Sequence, residues 1–190
     1  MKKGKLLIFS APSGSGKTTL VNYLREEIPS IAFSVSATTR EPRGTEQNGV
    51  EYYFMSLEEF KKRVENNEFL EWEEVYPGRC YGTLKAVVEK MREEGHHVAF
   101  DVDVVGGTNV KKFYGDDALS IFIQAPSIDA LRERLVGRQT DSMEEIEKRL
   151  AKADWEMNFA KGKFDITIIN NDLETAKRDI LEAVQKFIEK

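Results

Sequence analysis

Ala11-Pro-Ser-Gly14-Ser-Gly16-Lys17-Thr18 is the stretch that decides the fold. Ahead of it runs Lys5-Leu-Leu-Ile-Phe-Ser10, short, apolar and β-prone, and behind it Thr19-Leu-Val-Asn-Tyr-Leu-Arg25 has helical spacing. Strand, glycine-rich turn and helix in that order make the setting a phosphate-binding loop requires. Gly14 and Gly16 let the backbone turn its N–H groups inward onto a polyphosphate, and the helix N-terminus adds positive potential. Pro12, Ser13 and Ser15 complete the loop. Lys17 can then reach β- and γ-phosphate oxygens, while the Thr18 hydroxyl can ligate Mg²⁺. Ala11 stands where the usual pattern has Gly, a place that alanine holds if φ stays negative.

Outward from the loop, strands are expected at 5–10, 32–36, 51–55, 69–76, 97–103, 119–125 and 165–169. Helices are expected at 17–27, 56–66, 83–94, 106–114, 127–137, 142–160 and 172–189. Ser56-x-x-Glu59 and Ser142-x-x-Glu145 read as capping boxes, and Asp172 as the cap of the last helix. Val98-Ala-Phe100, Ile121-Phe-Ile123 and Ile166-Thr-Ile-Ile169 are apolar on both alternating faces, as buried parallel strands are. The alternation predicts an α/β sheet covered by helices on both sides. The stretch from about 36 to 84 is richer in Thr, Arg, Glu, Tyr and Gly, and suits a substrate-binding insertion as well as a decorated loop.

The chain has 190 residues, enough for one domain with a full core, and its 41% hydrophobic and 32% charged content holds no apolar run of membrane-spanning length. Cys80 is alone, which excludes an internal disulfide and suits a reducing cytoplasm. A net charge of −5 gives no general affinity for nucleic acid. An acidic protein that binds phosphate must gather its cations locally.

Four constellations do so or carry related chemistry. Arg40 and Arg43 flank Pro42, and two guanidinium forks suit a phosphate monoester dianion; alone, the same residues also read as a solvated loop. Glu71 lies between Leu70 and Trp72, and strand alternation turns it away from both. A carboxylate so placed is either solvent-facing or the acceptor for two adjacent N–H donors, which guanine offers and adenine does not. Asp101 and Asp103 close the apolar run from His97, as the carboxylate of a Walker-B strand does when it holds Mg²⁺. Arg134 and Arg138 are four apart on one helix face, and Arg149 follows beyond a polar break. They read either as a charged helix pair or as a lid that closes over a transferring phosphate.

Taken in order, these stretches, with Phe33-Ser-Val-Ser-Ala-Thr-Thr-Arg-Glu-Pro-Arg43 the most specific, make the chain resemble the guanylate kinases over nearly its whole length. The resemblance implies a P-loop NTPase-type parallel sheet covered by helices. It also implies a small GMP-binding insertion at about 36–84 between core segments 1–35 and 85–190, with a lid at about 137–148. It implies ATP + GMP → ADP + GDP with Mg²⁺ held near Thr18 and Asp101. By position, Arg40, Arg43, Tyr52 and Tyr81 would hold the GMP phosphate. Ser36, Glu71, Thr83 and Asp103 would read the guanine, and Asp101 would sit near the acceptor phosphate. The loop from Ala11 to Thr18 would bind ATP together with Asn170 at the adenine. Catalysis would rest on Lys17, Arg40, Arg134, Arg138 and Arg149. The partners implied are GMP or dGMP and ATP, with neither nucleic acid nor membrane, in the cytoplasm; oligomeric state stays open. Val104-Val105 departs from the family, which more often has an aromatic or Met and then Gln. Two alternatives share this build: a guanylate-kinase-like interaction module, against which the intact loop speaks, and a P-loop kinase acting on another acceptor such as a ribose phosphate.

Overall fold

The computed structural model describes residues 3–137 and 142–190. At its centre β1 (Leu6–Ser10) is buried at every position. It pairs in parallel with β7 (His97–Asp101) on one side and β8 (Ala118–Gln124) on the other. Adding β2 (Ile31–Phe33) and β9 (Ile166–Ile169) at the edges gives a five-stranded, all-parallel sheet in the order β2-β7-β1-β8-β9. Strand alternation divides the core. Leu7 and Phe9 join Leu20, Val21 and Leu24 of α1 (Lys17–Glu27) and Ile180 and Val184 of α7 (Leu173–Ile188). Leu6 and Ile8 point the other way, onto Val88 of α3 (Lys85–Glu93) and Val110 of α4 (Val104–Tyr114). The expected two-sided burial therefore holds for β1, β7 and β8. It fails for β9, an edge strand whose Ile169 is exposed.

Residues 37–84 build a second sheet. Its order is β4-β3-β6-β5, from β3 (Ala37–Thr38), β4 (Tyr53–Phe54), β5 (Phe69–Tyr76) and β6 (Arg79–Leu84), with α2 (Leu57–Glu65) packed on it. Phe60, Phe69, Cys80 and Leu84 form its small core. Two of these strands are absent from the sequence reading. β3 has two residues and exists only through its partners. β6 takes Thr83 and Leu84, expected in a helix, because Pro77-Gly78 turns the chain back and Gly78 adopts φ 77° there. Gly82 faces Trp72 across this hairpin, where a Cβ would come within 2.9 Å of Trp72 Cβ and of the Glu71 carbonyl.

The caps are local. Ser142 and Glu145 make the full capping box at the start of α6 (Met143–Ala160), and Asp172 accepts from Thr175 N–H at 2.8 Å. Ser56 caps α2, but Glu59 accepts from the Arg63 guanidinium. β7 ends at Asp101, two residues earlier than expected, because Asp103 leaves the strand to cap α4 through Gly106 N–H at 2.6 Å. No helix among the described residues is long and apolar enough to cross a membrane.

Candidate active site

Parallel register brings the chemistry to one edge. Phe9 of β1 pairs with Asp101 of β7, so the loop leaving β1 starts beside the carboxylate that ends β7. Open α/β sheets bind ligands outside this carboxyl edge. Gly14 and Gly16 adopt φ 88° and 91°, the left-handed backbone that turns the loop into α1. Asn67 is the only other residue among the described non-glycines with positive φ, so Ala11 fits its place without strain.

Asn170 braces this loop from below. It is buried, its Nδ2 donates to the Ser15 carbonyl at 2.9 Å, and its own carbonyl accepts from Arg134 Nη2 at 2.6 Å. A Cβ on Gly16 would stand 2.2 Å from that Nδ2. Asn170 is also the residue expected at the adenine; one of its two side-chain N–H donors is used on the loop. We expect Asn170→Ala to raise the KM for ATP roughly tenfold, about 1.4 kcal/mol, and to leave the acceptor KM within about twofold. Steady-state kinetics on both substrates would check it, and an unchanged ATP KM would refute the bracing role.

Lys17 is ion-paired with Asp101 Oδ1 and mostly buried, while Thr18 is exposed at the mouth. Arg149, on α6, donates to Ser13 Oγ at 2.9 Å, and Arg134 comes from α5 (Ile128–Gly137). These two arginines thus border the loop from two packed helices. Arg138, and with it part of the lid expected over 137–148, lies outside the described residues.

Across the cleft, the second sheet presents Arg40 beside Tyr52 and Tyr81. The Arg40 guanidinium lies over the Tyr52 ring, 4.9 Å from its centroid, and the two tyrosine rings meet edge to face at 6.0 Å. Arg43 is exposed and contributes its backbone N–H, which donates to Glu46. Deeper in, Thr83 Oγ1 donates to Glu71 Oε1 at 2.6 Å. Burial pushes the Glu71 carboxyl pKa up, the Thr83 bond pulls against this, and the negative Asp103 nearby adds to the rise. Val104 is buried against Phe122 and Ala160, whereas Val105 is exposed on the wall beside these groups.

Many of these groups, though not Arg40, Arg43 or Arg134, are on the walls of three adjoining recesses. The largest, of about 790 Å³, holds Ser36, Tyr52, Glu71, Tyr81, Asp101 and Asp103 on its walls. A second, of about 320 Å³, adds Thr83 and Ser34. The third, of about 330 Å³, is lined by Ala11, Ser13, Lys17, Asp103, Arg149 and Glu156. Asp101 and Val102 belong to all three. Asp101 therefore stands where all three recesses meet, and Asp103 is shared by the loop's recess and the largest one.

Two residues here escaped the sequence reading. Glu156 is buried on the wall of the loop's recess, where burial raises its pKa against the pull of Lys152 and Lys17. Its position seven residues after Arg149, on the same helix face, was the available signal. Glu46, bound to Arg40, had no such signal.

Among the described residues no group of three or more His, Cys, Asp or Glu is placed to hold a metal ion. A hydroxyl and a carboxylate at the loop are the sparse oxygen set that Mg²⁺ takes when phosphates and water fill its other positions.

Comparison with known proteins agrees with this geometry. The family model described as "Guanylate kinase" matches residues 3–190. A guanylate kinase of Bacteroides thetaiotaomicron is 61% identical over 98% of this chain and 91% of its own length. One from Porphyromonas gingivalis is 53% identical over 98% and 99%. The crystal structure of guanylate kinase from Anaplasma phagocytophilum superposes with a TM-score of 0.71 at 29% identity, covering 100% of this chain and 89% of that one. A glycine-rich loop bordered by arginines, a carboxylate ending the neighbouring strand and identity of this extent over nearly the whole chain have one reading: the chain belongs to the guanylate kinase family.

Proposed function

We propose that this chain transfers the γ-phosphoryl group of ATP to GMP through the residues of this cleft, forming ADP and GDP. The observation that carries the reading is Asp101 at the junction of the recesses, because donor and acceptor phosphates must meet at one point for in-line transfer. Ala11 to Thr18 cradle the ATP phosphates, braced by Asn170. Lys17, Arg134, Arg138 and Arg149 neutralise charge on the transferring group. Arg40, Arg43, Tyr52 and Tyr81 hold the GMP phosphate, and Ser36, Glu71, Thr83 and Asp103 read its base. The core comprises 1–35 and 85–190, the acceptor-binding insertion 36–84, and the lid about 137–148.

Little covalent chemistry falls to the protein. The acceptor monoester is already largely ionised near neutral pH, so alignment and charge neutralisation carry the rate. Lys17 exchanges Asp101 for phosphate when ATP enters, which frees the Asp101 carboxylate. Thr18 and Asp101 would hold the Mg²⁺ that accompanies ATP, a Lewis acid spreading the negative charge of the phosphates. Closure of the lid and insertion over both nucleotides excludes water, which otherwise competes as acceptor. A lone, buried and free Cys80 suits the cytoplasm as the site of this activity.

Following ADP production with GMP, dGMP, AMP and UMP side by side tests the assignment. We expect kcat/KM for GMP to exceed that for AMP by at least roughly 10²-fold, since a site built to hydrogen-bond one base rejects another strongly. AMP serving as well as GMP would overturn it.

A further inference from the structure

We propose that Glu46 is a positioning residue for the acceptor phosphate: it locks the Arg40 guanidinium so that one fork of N–H donors faces the ligand. The inference rests on the reading of Arg40 as a phosphate-binding residue. Glu46 takes the end of the guanidinium bidentately, with Arg40 Nη1 to Oε2 and Nη2 to Oε1 both at 2.7 Å. The remaining Nη1 proton goes to the Glu41 carbonyl at 2.9 Å. Of the donors a guanidinium owns, this leaves Nε–H and the second Nη2–H. Those two lie on one edge of the plane and form a second fork of the kind that pairs with phosphate. The Tyr81 hydroxyl also hydrogen-bonds the guanidinium, a contact an incoming phosphate would share or replace, and the Tyr52 and Phe54 rings hold its face, at 4.9 and 5.6 Å from the centroids.

Glu46 is itself held. Its Oε2 also accepts from Arg43 N–H at 2.8 Å, so one carboxylate ties together both arginines of the Arg40-Glu-Pro-Arg43 stretch. The Arg40 side chain is only 8% exposed, and the partnered carboxyl titrates at about 2, driven by the Arg40 and then the Arg43 hydrogen bonds. The pair therefore stays ionised at neutral pH. A negative charge near a phosphate site weakens attraction, and orientation is what it gives in return. The phosphate meets a fixed fork and loses none of its binding energy to ordering a long side chain.

The test compares wild type with Glu46→Ala and Glu46→Gln in the full chain. We expect Glu46→Ala to raise the KM for GMP about 10- to 100-fold, the scale of a misplaced positioning group. The KM for ATP and the calorimetric affinity for guanosine, which lacks the phosphate, should stay within about threefold. Glu46→Gln keeps one acceptor oxygen and should fall between; it carries the test if the alanine variant fails to melt cooperatively. A GMP KM that is unchanged or lower would show Glu46 to be a bystander or a competitor and overturn the inference. So would parallel losses for GMP and guanosine, which report a collapsed sheet rather than a mis-aimed arginine. A wild type indifferent to GMP in the acceptor panel overturns the parent reading as well; a wild type that prefers GMP, with Glu46→Ala unaltered, overturns this inference alone.

Discussion

Lys17→Ala is expected to lower kcat about 10³-fold, the cost of removing a preorganised charge from the transferring phosphate, while the melting curve hardly moves. The two halves of that expectation have separate causes. Lys17 sits at the start of α1 with its ammonium on Asp101, and Asp101 is 51% exposed. Deleting the lysine leaves that carboxylate in contact with water, and buried Glu156, which loses the pull of Lys17, keeps that of Lys152, so the fold loses little. In the Michaelis complex the same ammonium has no substitute, because Arg149 reaches the loop at Ser13 and Arg134 is anchored on the Asn170 carbonyl. Lys17→Arg should not rescue, since a planar fork cannot occupy the place of a compact ammonium inside the loop. Stopped turnover and thermal melts on the same preparations check both halves. A kcat within about tenfold of wild type would remove Lys17 from the chemistry.

Lys17 and Arg149 of this acidic chain line one recess, Arg40 and Arg134 stand near it, each of these four with an oxygen partner, and Arg43 is exposed. Lys17 has Asp101, Arg40 has Glu46, and Arg134 has a backbone carbonyl. On the proposed reading, binding two nucleotides would be largely an exchange of one oxygen partner for another. Such an exchange is gentler than bringing phosphate to bare, mutually repelling cations, and it keeps the ligand-free protein from opening under its own charge. It also ties the two halves of the site together electrically: when Lys17 moves to phosphate, the carboxylate it leaves lies on the wall of the acceptor recess.

What could be read from the sequence was whatever local chemistry enforces. The loop from Ala11 to Thr18 was legible because strand, glycine turn and helix are contiguous, and the helix caps at Ser142 and Asp172 because they span three residues. Asp101 was legible as a carboxylate at the close of an apolar run, although the strand was read on to residue 103. Long-range partners were not. Asn170 meets Ser15 across 155 residues, and nothing near Asn170 announces that its amide is needed under the loop. β3 has two residues and owes its form to β4 and β6, so no window around Ala37 could have shown it. β6 was misread because Thr83 and Leu84 adjoin a true helix, while the Pro77-Gly78 turn that reverses the chain went unweighed. Glu46 looked like one more charge in a polar loop, since its bidentate bond to Arg40 forms only once the loop folds back on itself.

Glu71→Gln should raise the KM for GMP by about 10²–10⁴-fold, as expected for the loss of two hydrogen bonds to a charged acceptor at roughly 1.5–3 kcal/mol each, and should leave the protein at least as stable. Gln keeps an oxygen for the Thr83 hydroxyl, which now donates to Glu71 Oε1, but turns an amide N–H₂ toward a base edge that also donates. The stability half follows from the direction of the pKa shift. Burial, with Asp103 and Glu73 nearby, raises the carboxyl pKa above the ordinary 4.5. As pH climbs past 4.5 the unfolded chain ionises first, so stability declines until the folded carboxyl has ionised too. At neutral pH the fold therefore carries the burden of an ionised, half-buried group, and the neutral amide relieves it. The same shift fixes how recognition depends on pH. Only the ionised carboxylate accepts from both guanine donors, so discrimination between GMP and IMP, which lacks the exocyclic amine, should fall as pH drops through the raised value. Taking the ratio of kcat/KM for the two nucleotides cancels titration of their phosphates. In Glu71→Gln that ratio should be low and flat with pH; a variant that still prefers GMP as strongly as wild type would place base recognition elsewhere in the cavity.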